Sequence, residues 1–287
     1  MYTFQPTGQV TASIDLSMGN IRILAGDGET LTVQVDPSNP AKAADVRSAE
    51  STLVEFTGDR LDIVQPKSPR VYSWFSSGSS IDLLVRLPRG SKVQGTTAYG
   101  AIRTEGALGP STLKTSYGDI GVEEGEDLRL RTSYGDVTLN RGTGHTDIRG
   151  GKVRVGHLDG TAAIKSAQHG TFVGLATGDL RVSSSYGDIE IDRALATVVA
   201  KTAYGTVRIH DVVRGAIDMR SSYGELELGV REGSAAWLDL ETGHGAVRNH
   251  LTTTDSAPGT DEPTDILQVT GRTSYGDIVI RRALPVR

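Results

Sequence analysis

One tripeptide recurs along the chain and restricts its fold more than any other feature. Ala98-Tyr99-Gly100, Ser116-Tyr117-Gly118, Ser133-Tyr134-Gly135, Ser185-Tyr186-Gly187, Ala203-Tyr204-Gly205, Ser222-Tyr223-Gly224 and Ser274-Tyr275-Gly276 put seven of the nine tyrosines in one motif. The step is 18 residues from Tyr99 to Tyr117, 17 on to Tyr134, 18 from Tyr186 to Tyr204 and 19 on to Tyr223. A period of this kind marks a stacked-repeat architecture. His169-Gly170 and His244-Gly245 fill the Tyr-Gly slot in degenerate copies, and Gly150-Gly151 marks another.

The residues around the motif say how each repeat is built. Leu128 and Leu130 alternate with Arg129 and Arg131, while Val137 and Leu139 alternate with Asp136 and Thr138. Both arms carry the period of a half-buried strand. The apolar positions are even before the motif and odd after it. A straight strand with one buried face cannot change parity, so the chain must turn at Ser-Tyr-Gly. Glycine accepts the dihedrals of such a corner. The same switch separates Leu180 and Val182 from Ile189 and Ile191, and Ile217 and Met219 from Leu226 and Leu228.

One repeat cannot bury its own apolar face, so successive repeats are expected to stack through parallel ladders. The predicted fold is all-β: a single-stranded parallel β-solenoid with coils of about 17–19 residues. Residues 91–287 are predicted to carry these coils, interrupted at 252–264 by a polar, acidic, proline-containing insertion. Residues 1–90 lack the tyrosine motif but keep the alternation, as in Leu31–Val35, Leu61–Val64 and Ile81–Leu87. They read as a β-rich N-terminal cap that starts the stack, with an independent sandwich domain as the alternative. A short helix is predicted over Ala41–Ser51, after Pro40.

Composition narrows the function classes. Net charge is −5 with both signs interspersed, and no basic block is present, which argues against a nucleic-acid partner. Cysteine is absent, which excludes disulfides and thiolate metal sites. No run of 18 apolar residues predicts a transmembrane helix. The first residues, Met1 to Gly8, have no basic stretch followed by an apolar one. That predicts a cytoplasmic protein, or an extracellular one if a leader has been removed.

The run Ser80-Ile-Asp-Leu-Leu-Val-Arg-Leu-Pro-Arg-Gly90, followed by the Ser-Tyr-Gly-Asp-Ile coils, resembles bacterial β-strand-repeat proteins of unknown function known as candidate adhesins. The resemblance covers nearly the whole chain. It implies a β-solenoid and supplies no catalytic residues to carry over.

The candidate sites carry two readings each. Tyr99, Tyr117, Tyr134, Tyr186, Tyr204, Tyr223 and Tyr275 are predicted to stack as an aromatic ladder that fixes register, or to form a platform for sugar rings or partner side chains. Gly118, Gly135, Gly187 and Gly276 are the corner glycines. Asp119, Asp136, Asp188 and Asp277 follow them, and a short carboxylate there accepts backbone N–H bonds. A calcium row is disfavoured, because Ala101, Lys152, Thr171, Thr206 and Ala246 interrupt the series. No metal site and no cofactor are predicted. No catalytic residue is assigned either: the carboxylates are repeat elements, and the histidines lack a ligand-like spacing. Tyr72, Trp74 and Phe75 form an aromatic cluster in an aromatic-poor chain, which suggests a contact site or a plug over the end of the stack. The function these features favour is a non-catalytic scaffold or adhesin-like interaction protein. It would display a repetitive surface to a protein or glycan partner, or to itself. The alternative is a carbohydrate-binding or polysaccharide-cleaving β-helix.

Overall fold

The computed structural model describes residues 1–66, 78–251 and 266–283. Tyr72, Trp74 and Phe75 and the insertion 252–264 lie outside the described residues. The chain is all-β, mostly parallel, and divides into two compact units, Met1–His145 and Thr146–Arg287.

The first unit contains β1 (Tyr2–Phe4), β2 (Thr11–Gly26), β3 (Leu31–Pro37), helix α1 (Ala43–Ser51), β4 (Leu53–Thr57), β5 (Arg60–Val64) and β6 (Ile81–Pro88). It continues with β7 (Lys92–Tyr99), β8 (Ile102–Leu108), β9 (Ser111–Tyr117), β10 (Ile120–Glu126), β11 (Leu128–Tyr134) and β12 (Val137–Gly150), which crosses the boundary. The two arms of each tyrosine repeat form separate parallel ladders. Arms before the motif pair as β7–β9–β11, and arms after it as β8–β10–β12. Inward residues such as Leu113, Ile120, Leu130 and Val137 are at most 1% exposed, on either side of the parity switch.

β2 carries both arms in one strand of 16 residues. Its first arm lies between β5 and β7 and its second between β6 and β8, all parallel. Beyond β5 and β6 the pairing turns antiparallel: β4 on β5, β3 on β6 and β1 on β3. Helix α1 is polar and starts two residues later than the sequence predicts. Its buried Asp45 carboxylate accepts the Ser80 N–H at 3.1 Å and pairs with Lys42 at 3.1 Å, so the helix is held by polar contacts.

The second unit holds β13 (Val153–Ser166), β14 (Thr171–Ala176), β15 (Leu180–Tyr186), β16 (Ile189–Ala194), β17 (Val198–Tyr204), β18 (Val207–Val212), β19 (Gly215–Tyr223) and β20 (Leu226–Val230). It ends with β21 (Ala235–His244), β22 (Val247–Asn249), β23 (Ile266–Tyr275) and β24 (Ile278–Arg282). The ladders run β13–β15–β17–β19 and β13–β14–β16–β18–β20, both halves of β13 taking part.

Order in space then departs from order in sequence. Stacking in chain order would set β21 beside β19. Instead β23 lies between β19 and β21, and β24 between β20 and β22. Burial explains the inversion. Leu267, Val269, Ile278 and Ile280 of the inserted repeat are fully buried. In the repeat that ends up outside, Asn249 takes the rung position beside Ile280, and Val247 beside Ile278 is 45% exposed. The more apolar repeat takes the position covered on both sides, which removes more apolar area from water.

Candidate functional site

The most regular surface feature in each unit is a row of tyrosines. Paired strands hold them in register: Tyr99↔Tyr117↔Tyr134 in the first unit, Tyr186↔Tyr204↔Tyr223↔Tyr275 in the second. Ring centroids in the first row are 4.9 Å apart, with interplanar angles of 3° and 7°. The second row steps by 5.2, 5.1 and 5.0 Å, and His244 stacks on Tyr275 at 4.6 Å. These steps follow from the spacing of neighbouring strands, about 4.8 Å. His169 does not stack on Tyr186, although its spacing puts it in the same slot.

The rings are about half exposed, from 47% at Tyr117 to 59% at Tyr134. Neighbours cover the faces of a stacked ring, so the exposed half is edge and hydroxyl. A sugar that stacks flat on an aromatic face is therefore shut out along the interior of a row. A partner that meets hydroxyls and ring edges at a fixed repeat is not.

Three kinds of backbone-directed contact recur at the corners, the third only where an aspartate follows the glycine. First, the corner glycine N–H donates to the tyrosine carbonyl of the neighbouring repeat, as Gly100 to Tyr117 (2.9 Å), Gly187 to Tyr204 (2.8 Å) and Gly276 to His244 (2.9 Å). Gly276 has φ 145°, and a Cβ there would run into the Gly224 carbonyl oxygen. Second, the residue two before the tyrosine donates its hydroxyl to a neighbouring corner carbonyl. Thr115 donates to Gly100 (3.0 Å), Thr132 to Gly118 (2.9 Å), Ser221 to Gly205 (3.0 Å) and Thr273 to Gly224 (3.0 Å). Third, the aspartate reaches across to the next repeat. The Asp119 carboxylate accepts the Asp136 N–H at 2.9 Å, Asp188 that of Thr206 at 2.7 Å, and Asp277 that of Ala246 at 2.8 Å. The Ala246 N–H, with Arg248 at 2.6 Å, holds the Asp277 carboxyl below the usual carboxylate range.

The hydroxyl ladder escaped the reading from sequence, yet its signal is there: Thr or Ser recurs two places before each tyrosine, at Thr97, Thr115, Thr132, Ser184, Thr202, Ser221 and Thr273. A second feature also went unread. Glu190 and Asp192 on β16 and His210 on β18 bring three donor atoms within 4.8 Å of one another. His210 Nε2 lies 3.0 Å from Glu190 Oε1. Partial burial, reinforced by Glu190 and opposed by His210, pushes the Asp192 carboxyl above its ordinary value. His210 follows Asp192 by 18 residues, the step between Tyr186 and Tyr204, so the repeat itself brings them together. Nearby, the buried Asp211 carboxylate takes both Arg193 (3.0 Å) and Arg231.

Among the described residues no helix is long and apolar enough to cross a membrane. Among solved structures, the chain is similar to a candidate adhesin from Bacteroides fragilis NCTC 9343 (14% identity, 97% of this chain and 95% of that one, TM-score 0.35). It is also similar to a candidate cell adhesion protein from Clostridium sporogenes ATCC 15579 (12% identity, 98% and 97%, TM-score 0.23). A third is a candidate lipid-binding protein from Parabacteroides distasonis ATCC 8503 (12% identity, 96% and 95%, TM-score 0.32). No curated protein matches the chain. The sequence matches the description Toastrack DUF4097 over residues 11–282, and the chain belongs to that family.

Proposed function

We propose that the chain is a single-stranded β-solenoid that acts as a non-catalytic, adhesin-like interaction protein, presenting its tyrosine rows to a macromolecular partner. The solenoid reading is supported by the two parallel ladders that each repeat feeds, one from each arm. In this reading residues 1–90 start the stack, which the antiparallel strands β1, β3 and β4 favour, and 91–287 carry the coils.

The observation that carries the function is the in-register, half-exposed ring row, because rings repeating at a fixed 4.9–5.2 Å between centroids suit an extended partner better than a single small ligand. The test is binding of the purified chain to immobilised matrix glycoproteins and to a glycan array, with Tyr204→Phe/Tyr223→Phe as the variant. Loss of the hydroxyls keeps the stack, so binding should weaken at least tenfold with unchanged stability. Release of reducing ends from a polysaccharide panel would overturn the non-catalytic reading, and undiminished binding by the variant would overturn the role of the rows.

A further inference from the structure

We propose that Glu190, Asp192 and His210 form a binding site for one divalent transition-metal ion of the zinc type. Glu190 and Asp192 are two apart on β16 and so project from the same face of the strand. On the neighbouring strand β18, Ile209 pairs with Ile191 and Asp211 with Arg193, which sets His210 level with Asp192. Three ligand-type atoms thus converge from two strands whose backbones are fixed by pairing on both sides.

The distances are close to those of a bound ion. Zinc–nitrogen and zinc–oxygen bonds of about 2.0–2.1 Å put the ligand atoms of a tetrahedral site about 3.3 Å apart. The Glu190–His210 pair is already at 3.0 Å, and the loosest pair lies within 4.8 Å. Side-chain rotation of roughly 1.5 Å closes the set without moving the sheet.

Charge points the same way. The arginines beside the cluster spend their hydrogen bonds elsewhere, Arg193 on Asp211 at 3.0 Å and Arg208 on both oxygens of Glu227 at 2.7 and 2.8 Å, although the charge of Arg208 also reaches Glu190. Among the described residues no lysine or arginine pairs with Asp192, and its carboxylate accepts no hydrogen bond. Two carboxylates therefore share one imidazole as their direct partner, and a dication would balance them.

The site is also open. Gly174 lies level with Asp192 on β14, between Val173, which pairs with Ile191, and Leu175, which pairs with Arg193. On the other side Gly229 lies against the His210 backbone. Neither neighbour has a side chain to wall off the cluster. Three protein donors with an accessible side leave a position for water or for a partner's ligand. An imidazole among the donors favours zinc, nickel or cobalt over calcium and magnesium, which take all-oxygen shells.

The experiment is calorimetric titration of the chelator-stripped full chain with Zn²⁺, alongside Co²⁺ followed by visible absorption. One equivalent should bind, and Co²⁺ should develop the intense bands of a low-coordinate site. His210→Gln and Asp192→Asn should each weaken Zn²⁺ at least tenfold, while His157→Gln on β13 leaves it unchanged. Wild type should gain melting temperature with Zn²⁺, and His210→Gln should melt as wild type does in chelator but gain nothing from the ion. Should His210→Gln not fold, Glu190→Gln takes its place in both measurements. Absence of a saturable equivalent, equal affinity in His210→Gln and wild type, an equal loss in His157→Gln, or tighter binding of Ca²⁺ than of Zn²⁺ would each overturn the proposal.

Discussion

At the residue scale the corner is decided by atoms that have no room to change. Gly118 has φ 157°, and a Cβ on it would meet the Gly100 carbonyl oxygen, itself a corner residue of the preceding repeat. Gly118→Ala should cost at least about 2 kcal/mol, because strained φ and backbone collision add. Gly28→Ala, where a Cβ meets nothing, should stay within about 0.5 kcal/mol of wild type. Urea midpoints measured side by side check both. Thr115→Val keeps the shape but removes the buried hydroxyl's bond to Gly100, so a loss of about 1 kcal/mol is expected from the same assay.

The corner aspartate gives a pH signature. Asp277 has a depressed folded pKa, so it binds a proton less readily in the folded than in the unfolded chain. Its contribution is present above the unfolded carboxyl value and is lost as pH falls through the lower folded value. Asp277→Asn should therefore narrow the stability gap to wild type as pH drops into that range, as melting curves at neutral and acid pH would show. An unchanged gap would mean that the Ala246 and Arg248 contacts contribute nothing.

At the element scale, the alternation and the parity switch made the two arms of the tyrosine repeats readable, because period 2 and a single glycine corner leave one solution. Strand order was not readable. Nothing in a local pattern says that β23 enters between β19 and β21, since the choice rests on comparing burial across the two repeats. It could have been weighed from Asn249 against Ile280, once both were placed on the same rung. A cross-linking experiment tests the order directly. Ala216 pairs with Gln268, and Gln268 with Trp237. Adjacent rungs are about 4.8 Å apart, inside the disulfide range, whereas two rungs are not. Ala216→Cys/Gln268→Cys should oxidise to a cross-link and Ala216→Cys/Trp237→Cys should not. The opposite result would restore chain order.

At the scale of the whole chain, the pairings from β13 to β20 join partners one repeat apart, and such local closures form early. β19 and β23 are exceptions, with Ile217 meeting Val269. Pulse-labelled hydrogen exchange during refolding should find β15 to β18 protected before β23 and β24. Simultaneous protection would show that the second unit closes as one event. The candidate site was legible only in part, for related reasons. The tyrosine, glycine and aspartate rows were visible because they repeat. The Glu190, Asp192 and His210 cluster was hidden because it occurs once. It also joins residues from two repeats, so neither repeat alone suggests a ligand set.

The inverted strand order has a consequence during synthesis. Residues 235–249 emerge from the ribosome before residues 266–282 do, so the flank of β19 is first offered to the repeat that does not belong there. The early occupant must stay loose enough to be displaced, and its polar Asn249 and half-wet Ala236 and Leu238 keep its hold weak. A more apolar outer repeat would lock the nascent chain in the wrong order. The weakness of that outer rung is thus a condition for the later-made repeat to reach its place.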